Sequence, residues 1–393
     1  MAKHIRGRNE GSISRAHSGH WRAQTTPING HRVTRTFKTK LEALTWLRDM
    51  QNELTRGFDY QGSKMLLKNY LHDWLKTSRI ALRPKTADSY SRTMDKHIIP
   101  SLGEVPLKDL THFHIEKFYA GLIEKGVGIR TVRLVHSILH CALERAVIQS
   151  MLTRNPASHA VLPRYKHGEM KFLDEGEVNQ FLLAAIDSPY VALYHLAVKT
   201  GMRLGELLGL RWSDLQLGSG RLNVQRQLQD VRGMGCFFQE PKTSSGRRTL
   251  QLGEGTIQAL REQREFQRLQ KELAGQRWQE NDLIFPSKIG TPLNPSNLRL
   301  DFKRVVERAG VPKVRLHDLR HTAASLMLNN GIPVIVVSKI LGHSKPSITI
   351  DIYGHLYNEM QTDAARLMDE LVSPIKIKLP GKVYSETPSG YLP

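Results

Sequence analysis

The chain has 393 residues, too many for one compact core, so two or three domains are expected. Its 57 Lys and Arg outweigh 37 Asp and Glu, and the resulting formal charge of +20 favours a polyanionic partner, most simply nucleic acid. No run approaches the roughly 18 apolar residues of a membrane span. The start, MAKHIRGRNEGS, has no signal-peptide core, so a cytoplasmic protein without a membrane partner is expected.

Two cysteines, Cys141 and Cys236, are too few for a disulfide framework or a four-thiolate zinc site. No low-complexity tail concentrates the positive charge. It is therefore spread over folded surfaces, which suits a shaped nucleic-acid groove.

Residues 1–40 hold nine Lys or Arg against one acid, Glu10. The stretches Gly11 to Gln24 and Gly30 to Phe37 are rich in Ser, Thr and Arg. Pro27, Asn29 and Gly30 between them signal a hairpin. A helical pattern follows in Leu41, Leu44, Trp46, Leu47, Met50 and Leu54, ending near Gly57. A small basic sheet plus one helix is expected over 1–60. Arg15, Arg22, Arg32 and Arg35 on its strands are candidate DNA contacts, because a β-ribbon can enter a groove.

Beyond Gly62 the pattern turns helical, with apolar stripes at Leu67–Trp74, Tyr90–Ile98, Phe113–Ile123 and Leu134–Val147. These predict a four-helix domain over 64–157. Arg83, Lys85, Arg130 and Arg133 punctuate its helix starts, where side chains can meet backbone phosphates. Residues 158–171 are polar, basic and aperiodic, as in a linker. Asp174-Glu175-Gly176-Glu177 has capping-box spacing and predicts the next helix. Helices then alternate with one strand-rich patch from Leu222 to Leu252. The tail from Ser373 is rich in Pro, Gly and Lys and reads as an extended arm.

Four segments carry chemistry. They are Thr200-Gly201-Met202-Arg203-Leu204-Gly205-Glu206; Pro241-Lys242-Thr243; Leu316-His317-Asp318-Leu319-Arg320-His321; and Leu341-Gly342-His343 with Tyr353 ten residues on. Their order and spacing resemble the tyrosine recombinase, or phage integrase, family. Its signature is an Arg in T-G-x-R-x-x-E, a hairpin Lys, H-x-x-R, a downstream G-H and a Tyr. The strong part of the resemblance covers about 170–370. More distantly, 64–157 resembles the family's core-binding domain and 1–60 the arm-binding domain of phage-type integrases. The resemblance implies a multidomain α+β chain: an arm-type domain at 1–60, a helical domain at 64–157, a linker at 158–171, a catalytic domain at 172–372 and a tail at 373–393.

By the same resemblance, Arg203, Lys242, His317, Arg320, His343 and Tyr353 are catalytic and Glu206 supports them. Elementary chemistry runs in parallel. Phosphodiester displacement spreads negative charge over equatorial oxygens, and two guanidiniums can fork onto those oxygens while staying protonated. A tyrosine can hold the phosphate covalently, storing the bond energy for rejoining without ATP. Lys242 would protonate the departing 5′ oxygen, His317 would help Tyr353 lose its proton or hold the phosphate, and His343 would bond a nonbridging oxygen. Alternatives stay open: Arg247 and Arg248 lie near Lys242, and Tyr357 lies four residues after Tyr353. His317 and His321 have zinc-helix spacing, but no Glu follows His317 and no third ligand presents itself, so neither a metal nor another cofactor is expected. Met327, Leu328, Ile335, Val336 and Val337 read as core.

The expected function is site-specific recombination of double-stranded DNA, as an integrase that inserts and excises a phage or mobile element in a bacterial host. The alternatives are a Xer-type resolvase, a strand-swivelling topoisomerase, or a DNA-binding protein of the same fold without catalysis. The resemblance implies a tetramer on core and arm sites, with an excisionase and a DNA-bending host factor as further partners. The apolar stripe Met360, Ala364, Leu367, Met368 and Leu371 suits docking on a neighbouring protomer or packing within its own domain.

Overall fold

The computed structural model describes residues 11–16, 18–25, 32–55, 58–165, 171–241, 244–353 and 365–372. The chain divides into two compact units, Met1–Gly168 and Glu169–Pro393. The class is α+β. No helix among the described residues is long and apolar enough to cross a membrane.

The first unit opens on three antiparallel strands, β1 (Ser12–Arg15), β2 (Trp21–Thr25) and β3 (Val33–Phe37), with β2 central. The sequence reading expected one strand where β1 and β2 stand. The chain reverses between them at Ser18-Gly19, where Gly19 takes φ +79°, a value that favours glycine. Helix α1 (Lys40–Thr55) covers the sheet by burying Ala43, Leu47 and Met50, while Phe37 and Trp46 meet with ring centroids 5.7 Å apart. Leu41 and Leu44, predicted for that apolar stripe, point to solvent. The buried positions 43, 47 and 50 keep the helical spacing, so the true face is rotated away from Leu41 and Leu44.

The rest of this unit is helical. It comprises α2 (Leu67–Ser78), α3 (Pro84–Thr93), a π-type turn (Met94–Ile98), α4 (Ile99–Leu102), α5 (His112–Glu124) and α6 (Ile129–Ile148). Pro84 starts α3 at a position where its missing N–H costs nothing. Leu67, Leu71, Met94, Ile98, Ile115, Val135, Ile138 and Leu139 are fully buried in one core. The Tyr70 hydroxyl donates to the Ala142 carbonyl at 2.8 Å and so ties α2 to α6.

In the second unit, α7 (Glu175–Ala184) carries the predicted capping box. The Asp174 side chain accepts from the Glu177 N–H at 2.8 Å, and Glu177 accepts in return from the Asp174 N–H at 2.9 Å. Next come α8 (Val191–Thr200), α9 (Leu204–Leu208) and five short strands: β4 (Leu215–Gln216), β5 (Arg221–Val224), β6 (Gln227–Val231), β7 (Gly235–Gln239) and β8 (Arg248–Gln251). They form a three-stranded sheet in the order β4-β5-β8 and a separate β6-β7 hairpin. The unit ends with α10 (Glu254–Ala274), α11 (Pro295–Ala309), α12 (Asp318–Asn329), α13 (Val334–Leu341), α14 (Pro346–Tyr353) and a helical segment over 365–371.

A large core joins α7–α11 to the sheet, and a smaller cluster of Ala324, Leu328, Val337, Leu341 and Tyr353 joins α12, α13 and α14. Ile335 and Val336, expected in the core, are exposed, because α13 turns Val337 and Leu341 inward instead.

Candidate active site

The site is built around the C-terminal end of α13. The last four carbonyls of a helix have no partner within it, and here each is supplied from outside. Gly342 turns the chain into the left-handed region at φ +69°, and two backbone bonds follow: His343 N–H to Ser338 O at 3.0 Å, and Gly342 N–H to Lys339 O at 3.1 Å. The next carbonyls go to guanidiniums. Arg248 Nε donates to Ile340 O at 2.6 Å, Arg320 Nη1 to Leu341 O at 2.8 Å, and Arg203 Nη2 to Gly342 O at 3.3 Å. The negative end of the helix dipole favours these cations.

Each arginine has a second anchor. Arg203 stands at the N-cap of α9, and its Nη1 donates to Glu206 Oε1 at 2.9 Å. The other Glu206 oxygen accepts from Arg248 Nη2 at 2.9 Å and from the Arg203 backbone N–H at 3.1 Å. Glu206 is 2% exposed. Burial alone would raise its carboxyl, but Arg248 and then Arg203 outweigh that and hold it below the usual carboxylate range. Arg320 rises from α12, and its Nη1 also donates to Gly201 O at 2.8 Å. Gly201 must be small: it takes φ +61°, and a Cβ there would lie 2.5 Å from Leu341 Cδ2. Burial, and then the nearby Arg203, weaken Arg320's hold on its proton, although a guanidinium stays charged at neutral pH.

One donor group remains. Arg320 Nη2 is buried and has no hydrogen-bond partner among the described residues. An unpaired buried donor is costly, and an anion beside the half-exposed Arg203 would satisfy it.

Tyr353 ends α14 and is 2% exposed. Its hydroxyl lies 2.7 Å from His321 Nδ1, and the two rings are 6.0 Å apart. Burial pushes the phenol up to about 12, and Arg320 opposes the shift. His317, one turn earlier on the same face, is exposed and meets His321 edge-on at 5.5 Å. His343 Nδ1 pairs with Thr349 Oγ1 at 2.8 Å, and burial plus Arg320, Arg203 and Arg248 push its imidazole down to about 4, so it is neutral at pH 7.

Of the residues predicted from sequence, Arg203, Glu206, Arg320, His343 and Tyr353 are thus gathered around the α12–α14 corner, with His317 at the start of α12. Lys242 and Tyr357 lie outside the described residues. The two rivals of Lys242 lie at and just before the start of β8, off the β6-β7 hairpin, and are engaged elsewhere: Arg248 as above, and Arg247 in an ion pair with Glu240. Sequence reasoning missed Arg248 as Glu206's partner and His321 as the phenol's partner. The R-H pair at 320–321 was visible, but nothing in spacing alone distinguishes His321 from His317. Among the described residues no group of three His, Cys, Asp or Glu could hold a metal ion. Both cysteines are free.

The predicted DNA contacts of the first unit are scattered. On the sheet, Arg22 pairs in register with Ser14 and Thr36, whereas Arg15 pairs with Trp21 and Arg35 with Ala23, on the opposite face. Arg35 also stacks over the Phe37 ring at 5.6 Å. Arg32 is exposed just before β3. Arg83 and Lys85 flank the start of α3, and Arg130 and Arg133 sit in the first turns of α6, where Arg133 donates to Pro163 O at 3.2 Å.

Two family models match this chain. One describes the phage integrase family over residues 171–360, and the other the N-terminal SAM-like domain of phage integrases over 66–123. The chain belongs to the phage integrase family of tyrosine recombinases. A tyrosine recombinase XerC-like protein of Caldanaerobacter subterraneus subsp. tengcongensis is 29% identical to it, over 87% of this chain and 93% of that protein. A putative prophage phiRv2 integrase of Mycobacterium tuberculosis is also 29% identical, over 92% and 95%. Among solved structures, the Tn1549 transposon integrase in complex with transposon right end DNA covers 79% of this chain and 100% of its own, at 21% identity and a TM-score of 0.67. That places the recombinase fold.

Proposed function

We propose that this recombinase is an integrase, that Tyr353 attacks a DNA phosphate to form a 3′-phosphotyrosine, and that the same site reverses the step to rejoin strands. The observation that carries this reading is the convergence of Arg203 and Arg320 on one helix end, with an unpaired buried Nη2 left on Arg320 and a buried Tyr353 close enough to interact electrostatically with that guanidinium. Two forked cations neutralise the phosphate and the charge that grows on it. The neutral His343 donates to a nonbridging oxygen, His317 holds the phosphate from the exposed start of α12, and Lys242 protonates the departing 5′ oxygen. Neither a metal ion nor ATP enters this scheme.

The N-terminal sheet supports the integrase over the Xer-type resolvase. In this reading the sheet grips arm sites while the helical domain holds the core site. The protein assembles as a tetramer on two DNA duplexes. The segment at 365–371 supports this, since Leu367, Met368 and Leu371 are more than half exposed and offer an apolar face to a neighbour. An excisionase and a DNA-bending host factor complete the reaction, which takes place on the nucleoid in the cytoplasm of a bacterial host.

A core-site substrate nicked close to the cleavage point traps the intermediate. Wild-type protein is expected to form a covalent protein–DNA adduct that Tyr353→Phe cannot form. An adduct that persists in Tyr353→Phe would assign the nucleophile elsewhere, and no adduct with wild-type protein would leave a DNA-binding protein without catalysis.

A further inference from the structure

We infer that His321 accepts the proton of the Tyr353 hydroxyl as that oxygen attacks the scissile phosphate. The inference rests on the reading of Tyr353 as nucleophile and adds the base that reading lacks.

The geometry fixes both partners. Tyr353 is held by the small core of α12, α13 and α14, which buries its ring beside Leu328, Val337 and Leu341. Its hydroxyl is shielded from water, so its proton needs an acceptor within the protein. Among the described residues the hydroxyl's hydrogen-bond partner is His321 Nδ1, at 2.7 Å. That distance meets the requirement for direct transfer. His321 directly follows Arg320 on α12, and a helix turns about 100° per residue. One residue therefore reaches the α13 end while the next reaches α14. The phosphate ligand and the base are adjacent in the chain yet face different partners.

The proton count closes. With the imidazole proton on Nε2, Nδ1 offers a lone pair to the phenol. The tyrosine O–H bond breaks and its proton moves to Nδ1. The phenolic oxygen forms the new bond to phosphorus, the P–O5′ bond breaks, and the 5′ oxygen takes a proton from the general acid of the leaving side. Rejoining runs the same transfers in reverse. His321 is faced by His317, Asp318 and Arg320 of α12, by Arg315 just before it, by His343 after α13 and by Tyr353 of α14. Burial lowers its affinity for a proton, Asp318 opposes that, and Arg320 and Arg315 add to it. The ring is thus uncharged and able to accept at neutral pH.

The test separates a base from a latch. His321→Asn keeps a polar group near the phenol and removes the basic nitrogen. Full-length wild-type and variant proteins are compared on the nicked core substrate in single turnover, between pH 6 and pH 10, with DNA binding followed by gel shift. The expected result is adduct formation about 10²–10⁴-fold slower at neutral pH in His321→Asn, with unchanged DNA binding and a rate that climbs toward pH 10, as a small but growing fraction of the phenol, pushed up to about 12, is ionised without a base. Fluorotyrosine at position 353, a more acidic phenol, should restore more rate to the variant than to wild type. A His321→Asn enzyme with the wild-type rate and pH profile overturns the inference and leaves His321 a latch. If the Asn variant loses cooperative unfolding, His321→Gln is read the same way. Tyr353→Phe run alongside reports on the underlying reading independently.

Discussion

Arg248 Nη2 donates to Glu206 Oε2 at 2.9 Å across 42 residues of sequence, and both side chains are at least nine-tenths buried. Glu206 is therefore held between two cations, one of which, Arg203, is the half-exposed one proposed to meet the phosphate. Removing the inner cation leaves a buried carboxylate half-paired and the Ile340 carbonyl uncapped. Arg248→Ala should cost about 3–5 kcal/mol of catalytic-unit stability. Arg248→Lys should recover only part of it, since a lysine cannot serve the carboxylate and the carbonyl from one planar fork. Denaturant unfolding of the full chain checks this, and equal stability of all three proteins would remove Arg248 from the framework.

Arg203 tests the chemistry more directly. Arg203→Lys keeps the charge but loses the fixed fork, so adduct formation should fall about 10²–10³-fold, the usual cost of one lost donor to a charged transition state. Binding to core DNA should change little, because one phosphate contact among many is a small part of the affinity. Single-turnover cleavage and gel shift on one preparation give both numbers.

Gly342 offers a test of close packing. A Cβ there would lie 2.8 Å from Arg248 Nη1 and 3.0 Å from Ser245 O, on a backbone at φ +69°. Gly126 has a similar φ of +74° but open space around it. Gly126→Ala should therefore show backbone strain alone, about 1–2 kcal/mol. Gly342→Ala should add displacement of Arg248 and a loss of adduct formation that Gly126→Ala does not share.

Acidification should weaken the second unit. The His343 and His321 imidazoles are both depressed in the folded state, His343 to about 4, against an ordinary value of 6.5. Below about 6.5 the unfolded chain binds protons that the folded chain refuses, so their contribution to stability is full above that pH and is lost as pH falls toward 4. His343→Gln should flatten the fall in unfolding free energy between pH 6.5 and pH 4. An unchanged slope would mean that other groups set it.

Deleting residues 1–60 should abolish integration between long DNA sites while sparing adduct formation on an isolated core site. Integration at the wild-type level by the truncated protein would place the arm contacts elsewhere.

Much of this framework was legible in the sequence, for identifiable reasons. The α6 stripe and the Asp174–Glu177 box are local patterns, and local patterns specify local structure. Arg203, Arg320, His343 and Tyr353 were visible because their separations repeat a family signature. What stayed hidden depends on backbone atoms brought together only by the fold. No spacing rule announces that Arg248, Arg203 and Arg320 will donate to Ile340, Gly342 and Leu341 in turn. His317 drew attention as the phenol's helper because it starts the motif, whereas the turn of α12 hands that hydrogen bond to His321. The division of the first strand failed for a simpler reason: a Ser-Gly turn in a Ser-rich stretch looks like its surroundings. The exposure of Leu41, Leu44, Ile335 and Val336 shows that an apolar residue on a helix marks a face only once the packing partner is known.

The end of α13 also couples three arginines to one another. Three arginines from three distant parts of the chain are seated on consecutive carbonyls at the end of one short helix, and Tyr353 belongs to the next helix along. A substitution that displaces the end of α13 should therefore disturb one anchor of each of the three guanidiniums at once.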